Sequence, residues 1–86
     1  KEVVKMENTV NAKEYQVIVT YDHNDYVQTY FNACNMDEIV NHYKGHEIEY
    51  YDGSLSGASY ALDIKDMEMN ERYVYYYDTD KYEKIY

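Results

Sequence analysis

The sequence predicts an α+β fold: an antiparallel sheet of about five or six strands with one short helix, about residues 35–44, packed on one face. Three observations lead there. Stretches of alternating apolar and polar residues recur between short turn clusters, and alternation with a period of two is the mark of a strand. One stretch has the three-to-four-residue apolar spacing of a helix, with start and stop signals at its ends. The 86 residues include 14 tyrosines and no proline, a composition that favours strands and supplies large rings to a core.

Glu2 to Met6 reads as a short strand and Glu7 to Lys13 as a polar loop. Tyr15, Val17, Val19 and Tyr21 alternate with Gln16, Ile18 and Thr20, and after the turn cluster at 22–25 the alternation resumes from Tyr26 to Ala33. Val27, Phe31 and Ala33 share a face, so the pair reads as an antiparallel hairpin. Asn35 is a good N-cap, and Glu38 follows at the capping-box spacing, with Cys34 and Ile39 at the spacing of a hydrophobic staple. Met36, Ile39, Val40 and Tyr43 form one apolar stripe, and Gly45 supplies the left-handed residue that ends a helix.

Beyond the helix, 46–51 reads as a third strand closed by an Asp52-Gly53 turn. Tyr60, Leu62 and Ile64 lie on one face of a fourth, whose parity slips at Met67 and Met69. Either a β-bulge near Lys65-Asp66 or a break into two elements accounts for the slip. A turn at Asn70-Glu71, a strand from Arg72 to Tyr77, a turn at 78–80 and a last strand from Tyr82 to Tyr86 complete a single domain spanning 1–86.

Composition then narrows function. Leu, Ile, Val and Phe are only 16 of the 86 residues, a level that warns of disorder when net charge is high. The tyrosines and the strict patterning restore the expectation of a folded core. Seventeen acids against eight lysines and arginines give a net charge of −9, which disfavours direct binding to nucleic acid or to an anionic membrane. Cys34 is the single cysteine, which suits a reducing compartment such as the cytosol, and no run is apolar enough for a membrane span.

Catalytic and metal motifs are missing. His42 and His46 are four apart with Asp37, Glu38 and Glu47 nearby, but Gly45 interrupts the helix that would align them, and nothing else completes a ligand set. Cys34 precedes a helix N-terminus, where thiolates are stabilised, yet its staple position gives it an apolar role. The stretch 53–57 contains glycine and serine but matches no phosphate loop. The expectation is a non-enzymatic protein with no cofactor and no metal.

Charge position is more informative. Residues 22–71 hold eleven acids against Lys44 and Lys65 alone, so this block carries the whole excess. Glu47 and Glu49 on one strand, and Asp66 and Glu68 on another, would each put two carboxylates about 6.6 Å apart on a face. Two such rows on neighbouring strands would resemble successive phosphates. Glu47, Glu49, Asp52, Asp63, Asp66, Glu68 and Glu71 are therefore the candidate partner-binding array, with Tyr50 and Tyr75 as aromatic anchors suited to an Arg-rich partner. An acidic face can also serve solubility alone.

In size, in the rows around Glu47-Ile48-Glu49 and Asp66-Met67-Glu68, and in its Tyr/Asn/Lys-rich vocabulary, the chain resembles the small acidic inhibitors encoded by bacteriophages. These anti-CRISPR and anti-restriction proteins include many nucleic-acid mimics. No family motif aligns, so no residue role is carried over. The resemblance implies a non-catalytic inhibitor acting in the cytoplasm of a bacterial host. It would occupy the positively charged nucleic-acid site of a defence protein, foremost a CRISPR–Cas effector. The alternative is an interaction module such as a polymerase accessory factor or an immunity protein for a basic toxin.

Overall fold

A computed structural model describes residues 12–22 and 25–86. The alternating segments form β1 (Lys13–Tyr21) and β2 (Tyr26–Ala33), followed by α1 (Met36–Tyr43), β3 (Ser59–Asp66), β4 (Glu71–Tyr76) and β5 (Lys81–Lys84). All pairings are antiparallel and the spatial order is β2-β1-β3-β4-β5. The long α1–β3 connection lets β3 dock beside β1, which leaves β2 and β5 as the two edges among the described residues. The strand expected within residues 2–6 lies outside the described residues.

Register explains the core. Tyr15, Val17 and Val19 on β1 stand opposite Phe31, Thr29 and Val27 on β2 and opposite Asp66, Ile64 and Leu62 on β3. Directly opposed residues point to the same side, so one side of the sheet collects the apolar positions. Onto it α1 presents Ile39 and Val40, both buried, with Met36 and Tyr43 packed at the margin. Val17, Val19, Leu62, Ile64 and Ile39 are fully excluded from water. The opposite side, with Gln16, Ile18, Asp63, Lys65 and Arg72, has no layer over it among the described residues.

The helix starts as its sequence directs. The Glu38 amide donates to Asn35 Oδ1 at 3.1 Å, and Glu38 Oε1 accepts from the Cys34 amide at 3.0 Å, one residue earlier than in a standard capping box. It ends at Gly45, whose φ of +72° is left-handed. At that end an aromatic run ties helix to sheet. Phe31 meets His42 edge-on, His42 meets Tyr43 and Tyr43 meets His46, and His46 Nδ1 is hydrogen-bonded to the buried Tyr21 hydroxyl at 2.7 Å.

One expectation is corrected and one pair of alternatives is resolved. Residues 46–51 are not a sheet strand: they lie in the α1–β3 connection, where a single bridge, Glu49 to Leu55, folds the chain on itself. The open alternatives at Met67 and Met69 resolve as a break. β3 ends at Asp66 and residues 67–70 form a turn that leaves both methionines exposed, so neither reaches the core. The irregularity in β3 is at its other end, where Tyr60 is skipped in the pairing with Thr20 and Tyr21.

Candidate protein-interaction surface

The connection between α1 and β3 is a small, well-anchored projection. Ile48 packs against the core, and Ser56, fully buried, locks the two arms together. Ile48 and Ser56 exchange bonds, the Ser56 amide donating to the Ile48 carbonyl and the Ile48 amide to Ser56 Oγ, both at 2.9 Å. Ser56 Oγ then donates to the Gly57 carbonyl at 2.8 Å. At the tip, the Tyr50 amide donates to the Ser54 carbonyl and Gly53, at φ +84°, donates to the Tyr50 carbonyl. The Ser54 hydroxyl and amide both donate to Asp52, which holds that carboxyl below its usual value and therefore charged. Tyr51 stands wholly in solvent at the tip, with Leu55 about half exposed.

This projection leans on the β1–β2 turn. The Asp22 amide donates to the Ala58 carbonyl at 3.3 Å, and the Tyr50 hydroxyl donates to Asp25. Five exposed carboxylates consequently share one end of the molecule: Asp22, Asp25, Glu47, Glu49 and Asp52. Among the described residues none of them forms an ion pair, and the sequence from Gly45 to Ile64 contains no lysine or arginine.

The other predicted acids are elsewhere and are engaged. Asp66, Glu68 and Glu71 sit at the far end of β3, about 23 Å from Ser59 by the strand rise. The two expected rows therefore do not lie side by side. Asp66 is almost buried, bonds Lys13 Nζ at 3.1 Å and accepts the Glu68 and Met69 amides, both at 3.0 Å. Glu68 lies 3.9 Å from the same Lys13 ammonium. Glu71 takes a bond from the Tyr73 hydroxyl and pairs with Lys84 at 3.4 Å. Asp63 points to the open side of the sheet, where Arg72 grips it with two nitrogens. Beside that pair is a shallow depression of about 230 Å³, which Gln16, Ile18, Lys65 and Tyr86 also line. Tyr75 is a core residue, 4% exposed, with no surface to offer a partner. Tyr50 is partly exposed but already bound to Asp25.

Tyrosine turns out to do work that lysine does in other proteins. Tyr50, Tyr73, Tyr75 and Tyr82 donate their hydroxyls to Asp25, Glu71, Asp80 and Asp37. Burial, and then the bond to Asp80, push the Tyr75 hydroxyl to about 12; the same two causes, with Asp37, raise Tyr82. Both hydroxyls thus stay protonated donors at neutral pH. A neutral donor steadies a carboxylate without cancelling its charge, so the negative field survives.

Sequence reasoning placed Glu47, Glu49, Asp52 and Tyr50 in the candidate set. It missed Ser56 and Gly57, which hold the projection, and the exposed Tyr51 and Leu55. Among the described residues no three His, Cys, Asp or Glu side chains are grouped to hold a metal, and no helix is long and apolar enough to cross a membrane. Compared with known proteins, the chain matches no family model, no curated sequence and no solved structure.

Proposed function

We propose that the chain is a non-catalytic acidic inhibitor that docks its Asp22–Asp25 turn and 46–58 projection into a positively charged nucleic-acid-binding site of a partner protein. The partner class that best fits is a host defence protein, foremost a CRISPR–Cas effector. One observation carries the reading: Asp66, Glu68 and Glu71 at the far end share ion pairs with Lys13 and Lys84, whereas the five at this end have no cationic partner among the described residues. Same-sign charges held together repel and destabilise the compact state. Fixing them with buried Ser56 and a tyrosine hydroxyl rather than with lysine keeps the field available to a basic partner.

Such a surface speeds encounter through long-range attraction, and the exposed ring of Tyr51 adds contact area and an Arg-stacking face. That same ring, with Leu55, also suits a plain interaction module whose partner binds nucleic acid at the same time. The two differ in competition: a mimic is displaced by DNA or RNA and a module is not.

The test is plasmid interference in bacteria carrying an active CRISPR–Cas system, with the chain expressed in trans. Wild type is expected to restore transformation by at least about tenfold against the susceptible type. The double variant Glu47→Lys/Glu49→Lys is expected to abolish that effect while its circular dichroism is unchanged, because both side chains are exposed. Undiminished inhibition by the double variant, or no effect of wild type on any system type, contradicts the proposal.

A further inference from the structure

Edge strands in natural proteins are guarded by lysine, proline, bulges or brevity, since a bare edge is a template for another strand. β2 has none of these. Its eight residues pair with β1 without a register break, and from Tyr26 to Met36 the sequence contains no charged residue, no proline and no glycine. In a chain where 29% of residues are charged, that gap covers the whole edge. β5, the opposite edge, is only four residues long and carries Lys81, Glu83 and Lys84.

The hydrogen-bond phase of β2 can be read from its turn. The Tyr21 amide donates to the Asp25 carbonyl at 2.7 Å, and bonded pairs recur every second residue along an antiparallel ladder. Val27, Thr29 and Phe31 therefore turn their amides toward β1, and Tyr26, Gln28 and Tyr30 turn theirs outward. Among the described residues no backbone bond reaches that outer side; the single contact there is the Thr29 hydroxyl at 3.4 Å from the Tyr30 carbonyl.

We infer that β2 is the contact through which two copies of this chain pair, β2 against β2, in one continuous antiparallel sheet. Charge selects the occupant. The projection end is acidic and the β5 edge carries Lys81, Glu83 and Lys84, so a second copy at net −9 meets least repulsion along the neutral strand. A basic partner, by contrast, has its complement at the carboxylate-rich end and gains nothing from β2.

Of the registers that keep both faces in phase and bond the outward amides, the one centred on β2 places a two-fold axis at Thr29. Gln28 then faces the second copy's Tyr30, Tyr26 faces Asn32, and Val27 faces Phe31. Asp25 falls opposite Ala33, so the two Asp25 carboxylates do not face each other. Because like-charged copies must approach, this association strengthens as salt rises, the opposite of docking to a basic partner. It is independent of the inhibitor reading.

Sedimentation equilibrium on the purified chain tests it. A dimer mass is expected, with the dimer fraction increasing between about 50 and about 500 mM NaCl. Gln28→Pro removes only an outward amide, so it is expected to weaken association at least about tenfold with the β-sheet circular dichroism retained. In a Cys34→Ser background, Thr29→Cys is expected to cross-link two copies under oxidised glutathione, since the two Thr29 Cα atoms would lie about 4.5 Å apart. A monomer at every concentration and salt overturns the inference. So does a dimer in which Gln28→Pro has no effect and Thr29→Cys does not cross-link.

Discussion

Replacing Asp66 by alanine is expected to destabilise the fold by about 2–4 kcal/mol, a large share of the roughly 4–13 kcal/mol available to a domain of this size. The carboxylate closes the β3–β4 turn: it accepts the Glu68 and Met69 amides and bonds Lys13, while lying almost buried at the end of β3. Alanine leaves two amides and an ammonium without their acceptor. Asparagine keeps an oxygen for the amides, so Asp66→Asn is expected to recover most of the loss. Burial pushes the Asp66 carboxyl up, but the bonds from Met69, Lys13 and Glu68 outweigh it and hold its pKa below the ordinary 3.8. A depressed folded pKa makes this stability fully present above the unfolded value of about 3.9 and lost as pH falls through the folded one. Urea melts at neutral pH and below pH 4 check both parts. Equal stability of Asp66→Ala and wild type at neutral pH would show that the turn does not depend on this residue.

The second large effect is expected from Gly57→Ala, at about 2–4 kcal/mol, together with loss of the acidic end as one surface. Gly57 has φ +82°, where an L side chain is strained, and an added Cβ would come within 2.8 Å of the Asp22 Cβ. The backbone must move to admit it, and the nearest thing to move is the contact between Ala58 and Asp22 that seats the projection on the β1–β2 turn. Thermal denaturation reads the stability, and amide shifts of Asp22 and Asp25 read the separation. Gly53→Ala is the matched control, since it has the same kind of φ but open space around it. Unchanged Asp22 and Asp25 shifts in Gly57→Ala would break the link between this glycine and the surface.

How much of this was readable in advance depends on how local the cause is. The β1–β2 hairpin and α1 are written in neighbouring residues: alternation on either side of 22–25, and Asn35, Glu38 and Gly45 at cap positions. The expected third strand failed because Glu47-Ile48-Glu49-Tyr50 has a strand's period but takes its partner locally, through the bridge from Glu49 to Leu55. β3, not 46–51, takes the place between β1 and β4, and 46–51 folds against 54–56. The acid rows failed for the same non-local reason. Glu47 and Asp66 are bound to opposite ends of one strand, a fact of topology that spacing does not carry. Asp66 reads as a surface acid in sequence because a carboxylate that caps a turn and one that faces water look alike without the fold. The division of labour among tyrosines was likewise hidden. Tyr75 and Tyr76 are adjacent, yet one is core and the other lies on the open side of the sheet.

The proposed function rests on five exposed carboxylates without an ion pair, Asp22, Asp25, Glu47, Glu49 and Asp52, being gathered at one end. A titration of the isotope-labelled protein with an oligo-arginine peptide at low salt, followed by amide and carboxyl shifts, measures this directly. The predicted result is saturable shifts at those five residues and at Tyr51, fading as salt is added, with little change at Asp63, Asp66 and Glu71. Shifts of equal size at both ends of the sheet, or largest around Asp66, would contradict it.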